Sequence, residues 1–182
     1  MLFHPATVQQ HANSPWGAIA LAASPLGLCG VWFQGQRHEP ADLLYGPDAW
    51  PHASQHPLLG RALEQLQAYW SGQSTGFDLP LANSSGTPFQ QAVWQELRQI
   101  GYGHTCSYAD VAQRLHKPSA VRAVAAAIAR NPISLIVPCH RVLGRNGHLT
   151  GYAGGLERKA ALLELESTQK QSGVSTGLTP SP

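Results

Sequence analysis

A run of helix-start signals between residues 87 and 119 constrains this chain more than anything else in it. In "TPFQ" (87–90), Thr87 can cap a helix, Pro88 suits the first turn and Gln90 can reach back to the cap, which makes a capping box. Phe89, Val93, Leu97 and Ile100 then share one face, so a helix is predicted up to about residue 100, where "GYGHT" breaks it. Ser107 caps a short helix through Leu115, with Val111, Ala112 and Leu115 inward. "HKP" (116–118) makes a tight turn. Ser119 then caps a helix from Ala120 to about Arg130, with Val121, Val124, Ala125 and Ile128 inward. Two short helices joined by a tight turn have the form of a helix-turn-helix. An αα-hairpin that only packs into a core has the same form.

Charge gives that pair a direction. Residues 1–96 carry two basic side chains against six acidic ones, whereas residues 97–160 carry nine basic against two. Such asymmetry suits a polyanion partner for the second half, or a basic face that is only solvated. Arg122, Ala126 and Ala129 fall on the outer face of the 120–130 helix, where long polar side chains are usual. Alanines let a backbone come close to a surface and leave Arg122 projecting alone. A nucleic-acid groove fits that face, and so does close packing on another helix.

The first half reads as strands followed by a helix. "GAIALAA" (17–23) and "LCGVWFQ" (28–34) flank a "SPLG" turn, residues 35–56 read as a long loop, and 56–72 read as a helix with Leu58, Ala62 and Leu66 at a spacing of four. "FDLPL" (77–81) is a short extended segment. The fold class is therefore α+β. A small N-terminal α/β lobe (1–82) with a short antiparallel sheet and a helix is followed by a linker (83–86). A helical lobe (87–166) comes next, with a winged-helix-like helix-turn-helix, and a polar tail (167–182) is read as disordered. A final helix is predicted from about Leu156 to Glu166, with Leu156, Ala160 and Leu163 on one side.

The excluded classes follow from composition. A hydrophobic share of 43% with 12% charged residues describes a soluble protein with a core. No apolar run approaches the roughly 18 residues of a membrane span, and the first residues lack a basic-then-apolar secretory pattern. Cys29, Cys106 and Cys139 are odd in number and far apart, with no C-x-x-C pair. That disfavours a disulfide framework or zinc ribbon and points to a reducing cytoplasm.

"VPCHRVL" (137–143) places Cys139 between Pro138 and His140. Free cysteine is usually buried and inert. A nucleophilic thiol needs a base, a nearby positive charge or a helix N-terminus, because its ordinary pKa is near 8.5. Neighbours in an extended segment point to opposite faces, so only a tight turn or helix start brings Cys139 and His140 to one site. Pro138 and Pro132 make a regular strand unfavourable. A histidine base also needs an orienting partner. Among the downstream acids, Glu157 sits in the first turn of its helix, Glu164 lies one past the apolar stripe, and Glu166 closes that stripe. Glu166 is the better inward candidate, and an inward carboxylate must be paired. A helix-end glutamate in water satisfies the same pattern.

"NPISLIVPCHRVLGRNGHLTGYAGGLERKAALLELE" resembles the active-site region of the O6-alkylguanine-DNA alkyltransferases (methylated-DNA–protein-cysteine methyltransferases). The likeness extends upstream through "SYADVAQRL" and "AVRAVAAAIARNP" to "GTPFQQAVWQEL", and more weakly over the first lobe, covering about residues 14–166. The resemblance implies DNA repair by direct reversal. In such repair an alkyl group moves irreversibly, once per molecule, from O6-alkylguanine, or from O4-alkylthymine, to a cysteine thiol. It implies that Cys139 is the acceptor, His140 its base acting through a water, and Glu166 the carboxylate that orients His140. Asn131 would tie the helix-turn-helix to the active-site loop. Tyr108 would help rotate the nucleotide and protonate the departing base. Arg122 would fill the gap in the stack, with Ser107, Ala123 and Ala126 beside it on the DNA side. Ile128, Val142, Tyr152 and Ala153 would line the base pocket. The implied partner is double-stranded DNA carrying alkylated bases, entered from the minor groove by a monomer, with no metal, no diffusible cofactor and no membrane. Two positions depart from the family pattern. Gly101 stands where proline is usual, which is expected to loosen a loop, and Ala125 stands where glycine is usual, adding a methyl group at a helix contact.

Four rival readings remain from the residues. An alkyltransferase-like binder would lack the cysteine, a thiol hydrolase would turn over without a basic helix pair, and a DNA-binding regulator would carry Cys139 only as structure. A metal site would draw on histidines such as His52 and His56.

Overall fold

The computed structural model describes residues 3–82 and 86–172. The linker positions 83–85 and tail positions 173–182 lie outside the described residues. The first elements are three antiparallel strands in the order β1 (Val8–Ser14), β2 (Gly17–Ser24) and β3 (Gly27–Phe33). β1 is an addition to the predicted pair. Its sequence, VQQHANS, has few apolar residues because its buried position is a glutamine. Gln9 is fully buried and donates through Nε2 to Leu44 O (3.1 Å) and Trp50 O (2.7 Å).

β2 and β3 are covered on both faces, which explains their continuous apolar runs. Ile19, Leu21, Ala23, Leu28, Val31 and Phe33 face the main core, while Ala20, Ala22, Cys29 and Trp32 face a smaller cluster with Leu44 and Trp50. Leu44 belongs to a short helix, α1 (Ala41–Tyr45), inside the stretch expected to be a loop. The β2–β3 turn needs Gly27, which sits at φ 128° and where an added Cβ would stand 2.6 Å from Pro80 O. Helix α2 (Pro57–Trp70) buries Leu59, Ala62, Leu66 and Tyr69. Its stripe alternates spacings of three and four, so Leu59 replaces the expected Leu58 and Tyr69 joins it.

The helical lobe starts as predicted. At α3 (Pro88–Leu97), Thr87 Oγ1 accepts from Gln90 N (3.3 Å) and Gln90 Oε1 accepts from Thr87 N (2.9 Å). Val93, Leu97 and Ile100 are buried, Trp94 is buried too, and its Nε1 donates to Ala127 O (2.9 Å). A two-residue strand, β4 (Cys106–Ser107), leads into α4 (Tyr108–Arg114), where Ser107 and Asp110 form a second capping box. Its chain reverses at His116, in the left-handed region at φ 56°, where Lys117 N donates to Ala112 O.

The next helix, α5 (Val121–Ala129), is not capped by Ser119. Pro118–Ala120 form a 3-10 turn with Ala120 N bonded to Lys117 O (2.9 Å), so the backbone supplies the transition. β5 (Val142–Leu143) pairs in parallel with β4, and α6 runs from Leu156 to Ser172. The tail reading is corrected for residues 167–172, which continue this helix. Residues from both lobes pack in one core, with Leu21, Val31 and Tyr69 among Val93, Val124, Cys139 and Leu162.

The free edge of β3 is covered by two segments. Leu28 pairs with residues 80–82, and Val31 pairs with residues 132–134, where Val31 N donates to Pro132 O and Ser134 N to Val31 O, both at 2.9 Å. Covering the edge removes a liability and fixes the segment leading to Cys139.

Candidate active site

The stretch from Asn131 to Val142 is nearly all buried. It turns back sharply at Leu135, a fully buried leucine in the left-handed region at φ 71°. That conformation costs roughly 1–2 kcal/mol and persists because the surrounding pairing fixes it. Asn131 sits inside the turn and spreads its amide over it. Its Nδ2 donates to Val137 O (2.9 Å), Ile133 O (3.3 Å) and Cys139 Sγ (3.2 Å), while Oδ1 accepts from Ile133 N (3.0 Å). Residues 139–141 then form a single 3-10 turn. This is the tight turn that a cysteine–histidine neighbour pair needs in order to serve one site.

His140 is fully buried. Its Nε2 lies 3.0 Å from Glu166 Oε1, and its Nδ1 has no hydrogen-bond partner among the described residues. Glu166 is also fully buried and holds the centre of a polar cluster. It accepts from Tyr69 Oη (2.6 Å) and from Gly103 N (3.0 Å). Arg141 grips it through Nε (3.0 and 3.1 Å) and Nη2 (2.8 Å), and Arg141 Nη1 donates to Ile100 O (2.6 Å). Glu166 does not lie on the predicted stripe. Leu156 is 48% exposed and Ala160 is exposed, whereas Lys159, Leu162 and Glu166 face inward. The leucines misled because two of the three inward positions are charged.

The charges set the acidities. Burial alone would raise the Glu166 carboxyl, but the hydrogen bonds from His140, Arg141 and Tyr69 outweigh it and bring its pKa down to about 2. Burial lowers His140. The Glu166 contact opposes that shift, and Arg141 and Lys159 reinforce it. Burial raises the Cys139 thiol, countered by the Asn131 hydrogen bond, the Lys159 charge and the backbone N–H groups of residues 139 and 140. Lys159 is fully buried, and its Nζ donates to Val142 O (2.5 Å) and Thr150 O (2.8 Å).

The remaining predicted residues divide into two groups. Ile128 and Val142 are buried in the cluster that holds Cys139, and Tyr152 packs on it. The Tyr152 hydroxyl is raised by burial, lies beside Ser134 without a well-formed hydrogen bond, and feels Cys139. Ala153 is half-buried and its carbonyl accepts from Arg37 N (3.0 Å). Tyr108 donates to Thr150 O (3.1 Å) and Gly151 O (2.9 Å). Arg122, Ala123 and Ala126 are exposed together on α5, and Ser107 is occupied as the cap of α4. Sequence reasoning missed Tyr69, Arg141 and Lys159. His52 faces His11 at 4.8 Å, and among the described residues no group of three or more His, Cys, Asp or Glu side chains could hold a metal ion. No described helix is long and apolar enough to cross a membrane.

Known proteins share this arrangement of chain. Residues 88–168 match the family described as 6-O-methylguanine DNA methyltransferase, DNA binding domain, and residues 8–83 match its ribonuclease-like domain. The methylated-DNA–protein-cysteine methyltransferase of Mycobacterium tuberculosis is 45% identical over 157 residues, covering 86% of this chain and 90% of that protein. Its counterpart in Methanosarcina acetivorans is 44% identical over 156 residues, covering 86% and 96%. The crystal structure of Mycobacterium tuberculosis OGT in complex with DNA matches with a TM-score of 0.79 at 40% identity, over 89% of this chain and 94% of that one. With Cys139, His140 and Glu166 all buried, with Arg122 exposed on α5, and with these matches over both lobes, the chain belongs to the 6-O-methylguanine DNA methyltransferase family.

Proposed function

We propose that this protein repairs DNA by taking a methyl or larger alkyl group from O6-alkylguanine, and from O4-alkylthymine, onto Cys139. The observation that carries the reading is the 3-10 turn that holds the Cys139 thiol on the Asn131 amide and is continued by His140, itself paired with Glu166. Helix α5 lies one short loop upstream with Arg122, Ala123 and Ala126 exposed. A base inside a duplex cannot reach a buried thiol, so the nucleotide must leave the stack. Small residues on α5 let the helix approach the minor groove closely, and Arg122 is long enough to occupy the gap. Ser107 flanks the same side. Ile128, Val142, Tyr152 and Ala153 would wall the pocket for the extruded base.

The chemistry then needs three proton positions. The Cys139 proton passes to His140 Nδ1 through a water, and Glu166 stabilises the resulting imidazolium at Nε2. The sulfur attacks the alkyl carbon in line, the carbon–oxygen bond breaks with its electron pair leaving on the base, and Tyr108, whose hydroxyl burial keeps protonated, gives its proton to the departing guanine and is reprotonated from solvent. A thioether has no easy leaving group, so the product is permanent and each monomer acts once, in the cytoplasm. The test is duplex DNA carrying labelled O6-methylguanine. Label should move to protein at no more than one equivalent per chain, and Cys139→Ala should abolish transfer. Repeated turnover, as a thiol hydrolase would show, or transfer by that variant, would falsify the reading. Binding without transfer would leave only a damage-recognition role.

A further inference from the structure

The loop Gly151–Gly155 carries Tyr152 and Ala153. It has no regular secondary structure, and Gly151 and Gly155 lie in the left-handed region. Four successive carbonyls hold it in place. Gly151 O accepts from Tyr108 Oη (2.9 Å), Tyr152 O from Gly155 N (3.1 Å), Ala153 O from Arg37 N (3.0 Å) and Gly154 O from Arg158 Nη1 (2.8 Å). The first bond cannot last through the reaction, because a Tyr108 hydroxyl that protonates the departing base has turned away from Gly151 O. Arg158 is then the side chain that keeps its grip on the loop.

Arg158, in the first turn of α6, has the geometry of a clamp. Its Nε donates to Trp16 O (2.8 Å) in the first hairpin while Nη1 holds Gly154 O, and its guanidinium lies 4.9 Å over the Phe33 ring. It forms no ion pair with a carboxylate among the described residues. A planar fork can make all three contacts at once, which a lysine ammonium cannot. Close packing carries the clamp to the pocket. A Cβ added at Gly154 would stand 2.7 Å from Tyr152 Cε1 and 3.2 Å from Phe33 Cδ2, so the backbone there packs against both rings. The Tyr152 hydroxyl has no well-formed hydrogen bond, so its backbone and its packing place the ring, not its tip.

We propose that Arg158 is a positioning residue that sets the width of the base pocket, holding the Tyr152–Ala153 wall against the first hairpin while Tyr108 turns from the loop to the base. This rests on the reading of Cys139 as the acceptor and of Tyr152 and Ala153 as the wall. A methyl group offers few contacts of its own, so its carbon meets the sulfur in line only if the wall holds the guanine. A benzyl group brings a ring that fills a widened pocket and helps to place itself. Loss of the clamp therefore penalises the small group more, since a misplacement of about 1 Å can cost about a hundredfold in an aligned displacement.

The test compares O6-methylguanine and O6-benzylguanine in one duplex sequence. Second-order rate constants of transfer are measured for the wild type, Arg158→Met and Arg158→Lys, and the final yield of alkylated protein is counted by mass. Arg158→Met keeps an unbranched side chain and removes the fork. It should slow methyl transfer by about tenfold or more and benzyl transfer by less than about threefold. Arg158→Lys keeps the charge without the fork and should shift the methyl-to-benzyl ratio the same way, by more than about twofold. A variant that merely folds less well or binds DNA less well slows both lesions by one factor. A ratio within about twofold of the wild type in either variant therefore overturns the proposal. In Arg158→Lys alone, such a ratio would mean that charge matters and the two-carbonyl clamp does not. If Arg158→Met does not fold, the lysine variant decides by the same ratio. Failure of the repair reading would appear in the wild type, which would transfer neither group. Failure of this proposal alone would leave the wild type taking up one equivalent of either group, with the ratio unmoved in the variants.

Discussion

Replacing Glu166 by glutamine preserves the shape of the site and removes its central charge. The Glu166 side chain is only 1% exposed and is gripped by an Arg141 side chain that is 8% exposed, so solvent screens this pair little. A pKa of about 2, against an ordinary glutamate value of about 4.3, corresponds to about 3 kcal/mol of stability at neutral pH. A second route gives a similar size, because removing one partner of a buried pair strands the other and typically costs about 3–5 kcal/mol. The sign follows from the folded pKa lying below the unfolded one. The stabilisation is complete above about pH 4.3 and is lost as pH falls toward 2, with about 1 kcal/mol gone by pH 3.5. Urea denaturation of the wild type and Glu166→Gln at a series of pH values measures it. The difference between the two cancels the titrating groups that do not contact Glu166 and leaves this carboxylate with its partner His140. The gap should be about 3 kcal/mol at pH 7 and narrow by about 1 kcal/mol at pH 3.5. A gap below about 1 kcal/mol at pH 7, or one that widens on acidification, would refute the claim that this cluster stabilises the fold through charge.

Three further outcomes are expected. Tyr69→Phe removes the 2.6 Å bond to Glu166 Oε1 and should cost about 1–3 kcal/mol in denaturation, with slower label transfer from DNA; an unchanged midpoint would mean that Arg141 alone satisfies the carboxylate. Arg122→Ala, on the exposed face of α5, should leave stability within about 0.5 kcal/mol. It should slow repair of duplex DNA far more than reaction with free O6-benzylguanine, and equal losses on both would remove Arg122 from nucleotide extrusion. Gly101 is exposed, outside the left-handed region, and its added Cβ would meet only His104 Cδ2 at 3.5 Å. Gly101→Ala should therefore raise stability by about 0.4–1 kcal/mol, seen as a higher melting temperature, and a fall would show that this loop needs glycine.

The sequence was legible where local chemistry decides the outcome. Thr87 and Gln90, or Ser107 at its helix start, meet partners three residues away, so capping could be read directly. It was opaque where a side chain's role depends on a distant partner. Tyr69 reaches Glu166 across 97 positions, and no pattern within α2 marks that tyrosine apart from an ordinary core residue. Arg141 stands next to His140 in the quoted motif, but its role appears only when α6 returns Glu166 to it 25 positions later. Strand β1 and the inward face of α6 failed for one shared reason. Gln9, Lys159 and Glu166 are buried polar groups satisfied by specific partners, and a hydrophobic pattern counts such positions as exposed.

That same property explains what the first lobe contributes. The turn from Asn131 to Cys139 holds a leucine in an unfavourable backbone region and a ring of buried polar atoms, and it has no regular secondary structure of its own. Such a segment keeps one geometry only if neighbours over-determine it. Strand β3 does so from one side through Val31, and Gln36 from the same lobe adds Ser134 Oγ to its Oε1 (3.2 Å) while also accepting from Phe33 N (2.9 Å). From the other side α2 and α6 supply Tyr69, Lys159 and Glu166. Arg158 ties α6 back to the first hairpin at Trp16 O (2.8 Å) and lies 4.9 Å over the Phe33 ring. Cys139 is thus held by contacts from both lobes, and the sheet acts as part of the site's rigid frame rather than as a separate support.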